Sequence, residues 1–348
     1  MALTVREEAN RNKLQDMKPL AFAKIQNHPE KIKRKECVAL IQLQYNYACN
    51  FKCKHCAIER FKQAAGNTLT IAEVKSIADQ ADKIGLASIC ISGGEPLIFP
   101  DLLDVINAIG QERFVISIDT NGYLLTEEKV QWLVAHGVDR IHLSIDGLES
   151  NHSIFRGNDK SWGKCIEALY YCRLYGLGVI INIVATKSIV KSGELEKQLK
   201  FITPYERHAS IIFAKAVGSF EDSKDEILDS ADIEYIQSLE QRYNISTHLS
   251  PNCGHTFGCL CFKRHLSITA YGDVLPCPWI PITMGNIREE KLEDIIKRGL
   301  AIKWFGYGEV FSCQSGNRDT FFYKNIIPQI EKLKDYPVSW KDINWMDK

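Results

Sequence analysis

Between residues 37 and 214, short runs of β-branched and aliphatic residues alternate with segments whose apolar positions recur every three to four residues. The runs predict strands over Val38 to Gln44, Ala87 to Ser92, Phe114 to Thr120, Arg140 to Ser144, Val179 to Ala185 and Ser210 to Ala214. Helix punctuation lies between them. Thr70 with Glu73 reads as a capping box and Gly85 as its stop, Thr126 and Gly137 bracket a second helix, and Trp162 to Tyr175 ends at Gly176. Consecutive βα units around a parallel sheet follow, and the nearly continuous apolar run Ile180 to Val184 is expected to be buried on both faces. After Ala214 the pattern changes. A polar stretch, Ser219 to Asp229, leads to a helix around Ile233 to Tyr243, then to a segment dense in Gly, Pro, His and Cys. There Ile268 and Val274 flank Tyr271-Gly272-Asp273 as in a tight hairpin.

Charge excludes more than it suggests. The 348 residues carry 43 Lys+Arg against 43 Asp+Glu, so no general field draws the chain to nucleic acid or an anionic membrane. The one basic run is Lys31, Lys33, Arg34, Lys35. No segment reaches the roughly 18 apolar residues of a membrane span, and residues 1–35 are unlike a signal peptide, so a reducing cytoplasmic setting is expected. Twelve cysteines are too sparse for a disulfide scaffold and point to metal or catalysis.

Cys49, Cys53 and Cys56 lie within eight residues, immediately after the first strand. A loop leaving a strand end can fold three thiols around one centre. Structural zinc wants four closed ligands, whereas a four-iron cluster on three cysteines keeps one iron open, although the spacing by itself leaves zinc or a ferredoxin-type cluster as alternatives. Gly93-Gly94-Glu95-Pro96 ends the second strand, where the glycines allow close backbone approach and a carboxylate can accept from an ammonium group. A plain turn with a solvated Glu is the alternative.

The C-x3-C-x2-C loop after the first strand of a βα series resembles the radical S-adenosylmethionine (radical SAM) superfamily. The resemblance implies an α/β fold, a partial (β/α)6 TIM-like barrel, in which the open iron chelates S-adenosylmethionine and its reductive cleavage gives a 5'-deoxyadenosyl radical that abstracts hydrogen from a substrate. It places His55 against adenine, Gly93 to Pro96 at the methionyl amino group, and Asn121 beneath the cosubstrate. It also places Ser144 and Arg156 at ribose and carboxylate, and Asn182, with Val184, along the adenine and ribose side. An external one-electron donor such as flavodoxin or ferredoxin is implied.

Cys261, ten residues, Gly272, four residues and Cys277 resemble the auxiliary-cluster domains called SPASM and Twitch; Cys259 fits the same rule, with Cys253 ahead of it and Cys313 as the only later thiol. Five thiols therefore compete for four places in one auxiliary four-iron cluster, and one of Cys253, Cys259 and Cys261 could instead donate hydrogen to a substrate radical. A zinc ribbon is the alternative. The remaining Cys37, Cys90, Cys165 and Cys172 read as core packing. The expected division is an arm over residues 1–36, a core over 37–218, a connecting segment with a helix over 219–252, and an auxiliary-cluster domain with a helical tail over 253–348. The expected chemistry is oxidation or epimerisation of a sugar, aminocyclitol or other small polar metabolite. A peptide-modifying enzyme is the alternative, and a non-enzymatic iron-sulfur carrier the remote one.

Overall fold

The computed structural model describes residues 5–63, 66–205, 208–251, 255–308, 310–333 and 336–345. Its main sheet contains β1 (Leu40–Asn46), β2 (Ser88–Gly93), β3 (Val115–Thr120), β4 (Arg140–Ser144), β5 (Gly178–Ala185), β6 (His208–Phe213), β7 (Ile245–Thr247), β8 (His265–Ile268) and β9 (Val274–Leu275). The order is β7-β6-β5-β4-β3-β2-β1-β8-β9, parallel throughout except for β9. Helices on the outer face and one cavity lined from β1 to β8 make this a partial barrel.

Residues alternate strictly across the wall. Ile41 and Leu43, Ile89 and Ile91, Ile116 and Ile118, Ile141 and Leu143, and Ile181 and Ile183 pack outward under the helices. Their neighbours face the lumen: Gln42, Cys90 and Ser92, Ser117 and Asp119, Arg140 and His142, Asn182. The expectation of burial on both faces is thus corrected for β5, where Ile180, Asn182 and Val184 stay half-buried and open to the cavity. An apolar run cannot show that one face meets a polar chamber.

Local chemistry builds the helices. Thr70 and Glu73 form a reciprocal capping box at helix Ile71–Lys83, whose Val74, Ile77, Ala78 and Ala81 are buried; such a cap stabilises by about 1 kcal/mol. Cys165 and Cys172 share the buried face of helix Ser161–Leu174. Before β1, three helices (Val5–Met17, Pro19–Gln26, His28–Lys33) close the lower rim through lysines. Lys18 Nζ donates to Phe114 O at 3.1 Å and Gly137 O at 2.8 Å and pairs with Asp139. Lys24 donates to Arg113 O at 2.8 Å and Lys31 to Ile84 O at 2.5 Å, so Lys31 is a buried tie and no part of a basic surface.

The hairpin at Tyr271-Gly272-Asp273 forms as β8–β9, yet β8 also pairs parallel with β1, from Leu40↔His265 to Leu43↔Ile268. The cysteine-rich segment therefore extends the barrel sheet. Arg288 adds a second tie, reaching Glu73 Oε1 at 2.5 Å and Asn67 O at 2.9 Å; this guanidinium is the main reason Glu73 is held down to about 2. No helix of the described residues is long and apolar enough to cross a membrane.

Candidate functional site

The loop carrying Cys49, Cys53 and Cys56 leaves the carboxyl end of β1, with Cys49 exposed and the other two half-buried. Backbone-to-backbone ties hold it on three sides. Gly94 N donates to Asn46 O at 2.8 Å and Glu95 N to Ala48 O at 2.9 Å, Lys54 N donates to Phe155 O at 3.0 Å, and Ser219 N to Cys56 O at 2.9 Å. Each tie needs a glycine. A Cβ on Gly94 would stand 1.9 Å from Ala48 O, on Gly157 2.7 Å from Lys52 O, and on Gly218 2.2 Å from Cys56 O. Gly218 is therefore a wall of the cysteine loop, beyond its place at the exit from β6.

Arg156, near the end of helix Glu149–Arg156, is buried with Nη1 3.8 Å from Cys53 Sγ and Nη2 paired with the fully buried Asp146. Its Nε has no hydrogen-bond partner. Asp146 is fixed in turn by Val184 N at 2.6 Å. His55 stacks on Phe155 at 4.4 Å and 8°, and burial followed by the Arg156 charge lowers it to about 4, leaving a neutral ring with an unpartnered Nδ1. Ser144 and Asn182 are register partners across β4 and β5, both lining the cavity.

Glu95 is 1% exposed, and its carboxylate accepts from Thr120 Oγ1 at 2.8 Å, Asn121 N at 2.8 Å and Leu97 N at 3.2 Å. Burial raises it to about 7 against those donors. It joins the ends of β2 and β3, Pro96 opens the short turn that follows, and Asn121 Nδ2 reaches across to Asn50 Oδ1 at 2.8 Å in the cysteine loop. Three thiols on one loop, Cys53 beside an arginine, with buried unpartnered Arg156 Nε and His55 Nδ1 alongside, form a donor set suited to a three-cysteine iron-sulfur cluster and an anionic cosubstrate.

One cavity of about 590 Å³ runs from this rim down into the lumen. Pattern reading missed its chemistry. Asp119 accepts from Gln42 Nε2 at 2.6 Å and meets His142 Nδ1 at 2.7 Å, and this pairing holds its carboxyl near 2 in spite of burial, the largest influence. Cys90 Sγ lies 3.7 Å from the same Nδ1 and lines the chamber, which corrects its assignment to core packing. The signal was present in the alternation Ser88-x-Cys90-x-Ser92 and Arg140-x-His142-x-Ser144, polar at every second position.

The structure brings Cys259, Cys261, Cys277 and Cys313 together, all buried: the Cys261 thiol is in contact with Cys259 and Cys277, and Cys313 interacts electrostatically with Cys259 and Cys277. Cys253 lies outside the described residues. Four thiols are the number that a closed four-iron cluster takes. Lys215, just after β6, is buried among them; burial lowers it, while the thiols, Cys313 first, act in the other direction.

Residues 43–191 match the Radical SAM superfamily and residues 259–317 the SPASM iron-sulfur cluster-binding domain. The AdoMet-dependent heme synthase of Methanosarcina barkeri is 27% identical over 290 residues, covering 74% of this chain and 81% of that protein. The antilisterial bacteriocin subtilosin biosynthesis protein AlbA of Bacillus subtilis is 23% identical over 77% of this chain and 62% of its own. Among solved structures, Streptococcus suis SuiB bound to S-adenosylmethionine shares the fold with a TM-score of 0.59 and 22% identity over 79% of this chain and 69% of its own; anSMEcpe with bound AdoMet gives 0.58 and 17% over 82% and 93%. With three thiols at the barrel mouth and four beneath it, the chain belongs to the radical SAM superfamily, using S-adenosylmethionine and a 4Fe-4S cluster, and carries a C-terminal SPASM iron-sulfur domain.

Proposed function

We propose that this enzyme oxidises a small polar molecule seated in the barrel lumen, with a single four-iron SPASM cluster as electron acceptor. One observation carries the reading: His28 Nε2, Gln42 Oε1, Ser117 Oγ, His248 Nε2 and His265 Nε2 are buried, without hydrogen-bond partners, and all on residues lining the same cavity. Each unmet group costs about 1–3 kcal/mol, so a polar guest is what this wall suits.

When bound, the cluster on Cys49, Cys53 and Cys56 with S-adenosylmethionine supplies a 5'-deoxyadenosyl radical that removes one hydrogen atom. The chain's residues do the rest. Gly94, Gly157 and Gly218 hold the thiol loop, Arg156 serves the cosubstrate carboxylate, and Glu95 presents negative charge to its ammonium. The His55–Phe155 stack borders adenine, and Ser144 and Asn182 the ribose. Completing a two-electron oxidation removes one further electron and one proton. His142 takes the proton on Nε2, since Nδ1–H is held by Asp119. Cys259, Cys261, Cys277 and Cys313 would hold the auxiliary cluster, which would supply the one-electron acceptor that this oxidation needs.

Cys90 favours a second reading. A thiol lining the lumen can return a hydrogen atom to the substrate radical, which gives epimerisation. Anaerobic reconstitution in D2O with dithionite, S-adenosylmethionine and panels of polar metabolites and peptides separates the outcomes. Oxidation predicts that a small polar compound accelerates 5'-deoxyadenosine formation at least about tenfold, that His265→Phe removes the acceleration, and that no carbon-bound deuterium enters product. Deuterium incorporation abolished by Cys90→Ala would establish epimerisation. Acceleration by peptides alone would overturn the small-molecule reading.

A further inference from the structure

Lys215 has no role in the reaction described above, yet it occupies the most cysteine-rich point of the fold. It is 6% exposed, and Nζ has no hydrogen-bond partner. The ammonium lies 4.1 Å from the centroid of Trp279, which lines the lumen, whereas Lys215 is not among the lining residues and so stands behind the indole. A Cβ on Gly316 would be 3.0 Å from Cys313 Sγ and 3.2 Å from Lys215 Cε, so lysine and thiol flank one glycine. Cys313, Cys277, Cys261 and Cys259 are the charges acting on this ammonium. A second buried lysine, Lys263, also lies near Cys259 and Cys261, but its Nζ is engaged by Gly306 O at 3.1 Å.

A four-iron cluster on four thiolates is negatively charged and becomes more so on reduction, and net charge with local burial sets its potential. A cation kept out of water beside it favours the reduced state, because low dielectric strengthens the attraction. We infer that Lys215 is the counter-charge of the auxiliary cluster, raising its reduction potential so that it accepts the substrate's electron. The step adds one electron to the oxidised cluster and changes no bond at Lys215. It rests on assigning the four thiols to one cluster.

The test uses the full chain carrying Cys49→Ala, Cys53→Ala and Cys56→Ala, so that only the auxiliary cluster is read. Iron counting comes first. A parent chain without iron overturns the four-thiol assignment, and the lysine role with it, before any lysine is changed. With the cluster present, potentiometric titration followed by electron paramagnetic resonance reads the midpoint. Lys215→Met is expected to lower the reduced-to-oxidised ratio at fixed potential at least about tenfold, which is 59 mV for one electron. Lys215→Arg returns it to within about threefold, and Lys263→Met changes it less than Lys215→Met. An unchanged midpoint in Lys215→Met overturns the inference. Should that variant not assemble, pulsed resonance of the parent with ¹⁵N-labelled lysine replaces it: a nitrogen coupling lost in Lys215→Arg supports the role, and no such coupling overturns it.

Discussion

The two cysteine sites hold thiols in opposite ways. At the barrel mouth, three thiols on one eight-residue loop remain partly exposed, and the loop is positioned by its main chain through Gly94, Gly157 and Gly218. In the SPASM segment, four thiols from residues 259 to 313 are buried and drawn together by tertiary packing, with a lysine among them. An open site needs a rigid frame and a free side. A closed site needs burial and charge balance, and its lysine packs on Trp279, which lines the lumen.

The sharpest break in this comparison is removal of one set. Cys49→Ala, Cys53→Ala and Cys56→Ala together should take iron from about eight to about four per chain and abolish 5'-deoxyadenosine formation, at least about 10³-fold; loss of all iron would show that the sites depend on each other. Gly94→Ala should empty the first site while leaving the second filled, and destabilise by about 3 kcal/mol, since its Cβ would overlap Ala48 O. Iron content and denaturant unfolding read both effects. Glu95 is raised from 4.5 to about 7 by burial, so the native state holds this proton more tightly than the unfolded chain. Stability without S-adenosylmethionine should therefore fall by about 2 kcal/mol from pH 5 to pH 7, a slope that Glu95→Gln removes. The smallest effect belongs to the exposed tie between the regions: Arg288→Ala should cost about 1 kcal/mol and leave both clusters filled.

The βα series and its caps were legible because Thr70, Glu73 and Thr126 act within one turn, and Arg140–Ser144 is bounded by residues of clear preference. The thiol loop and the Gly93 to Pro96 segment were legible for the same reason, since a site built on one short loop shows in spacing. The β1–β8 pairing was not, because a four-residue strand carries no mark of its partner. Nor was the lumen: Cys90, Asp119 and His142 come from three strands and meet only when the sheet curls. Lys215 lies at least 44 residues before every thiol it faces, with helices and at least one strand between.

The bond between Gln44 Nε2 and Ser267 Oγ, with the ladder around it, joins residues 223 positions apart. At roughly 5–20 residues per second of synthesis, the strand that leads into the radical-generating loop waits roughly 10–45 s for its neighbour to be made. Until then β1 has an unpaired edge just before three thiols. Iron delivered before residue 268 has been made would meet those cysteines on an unfinished sheet, as it would in a truncated product ending before residue 265.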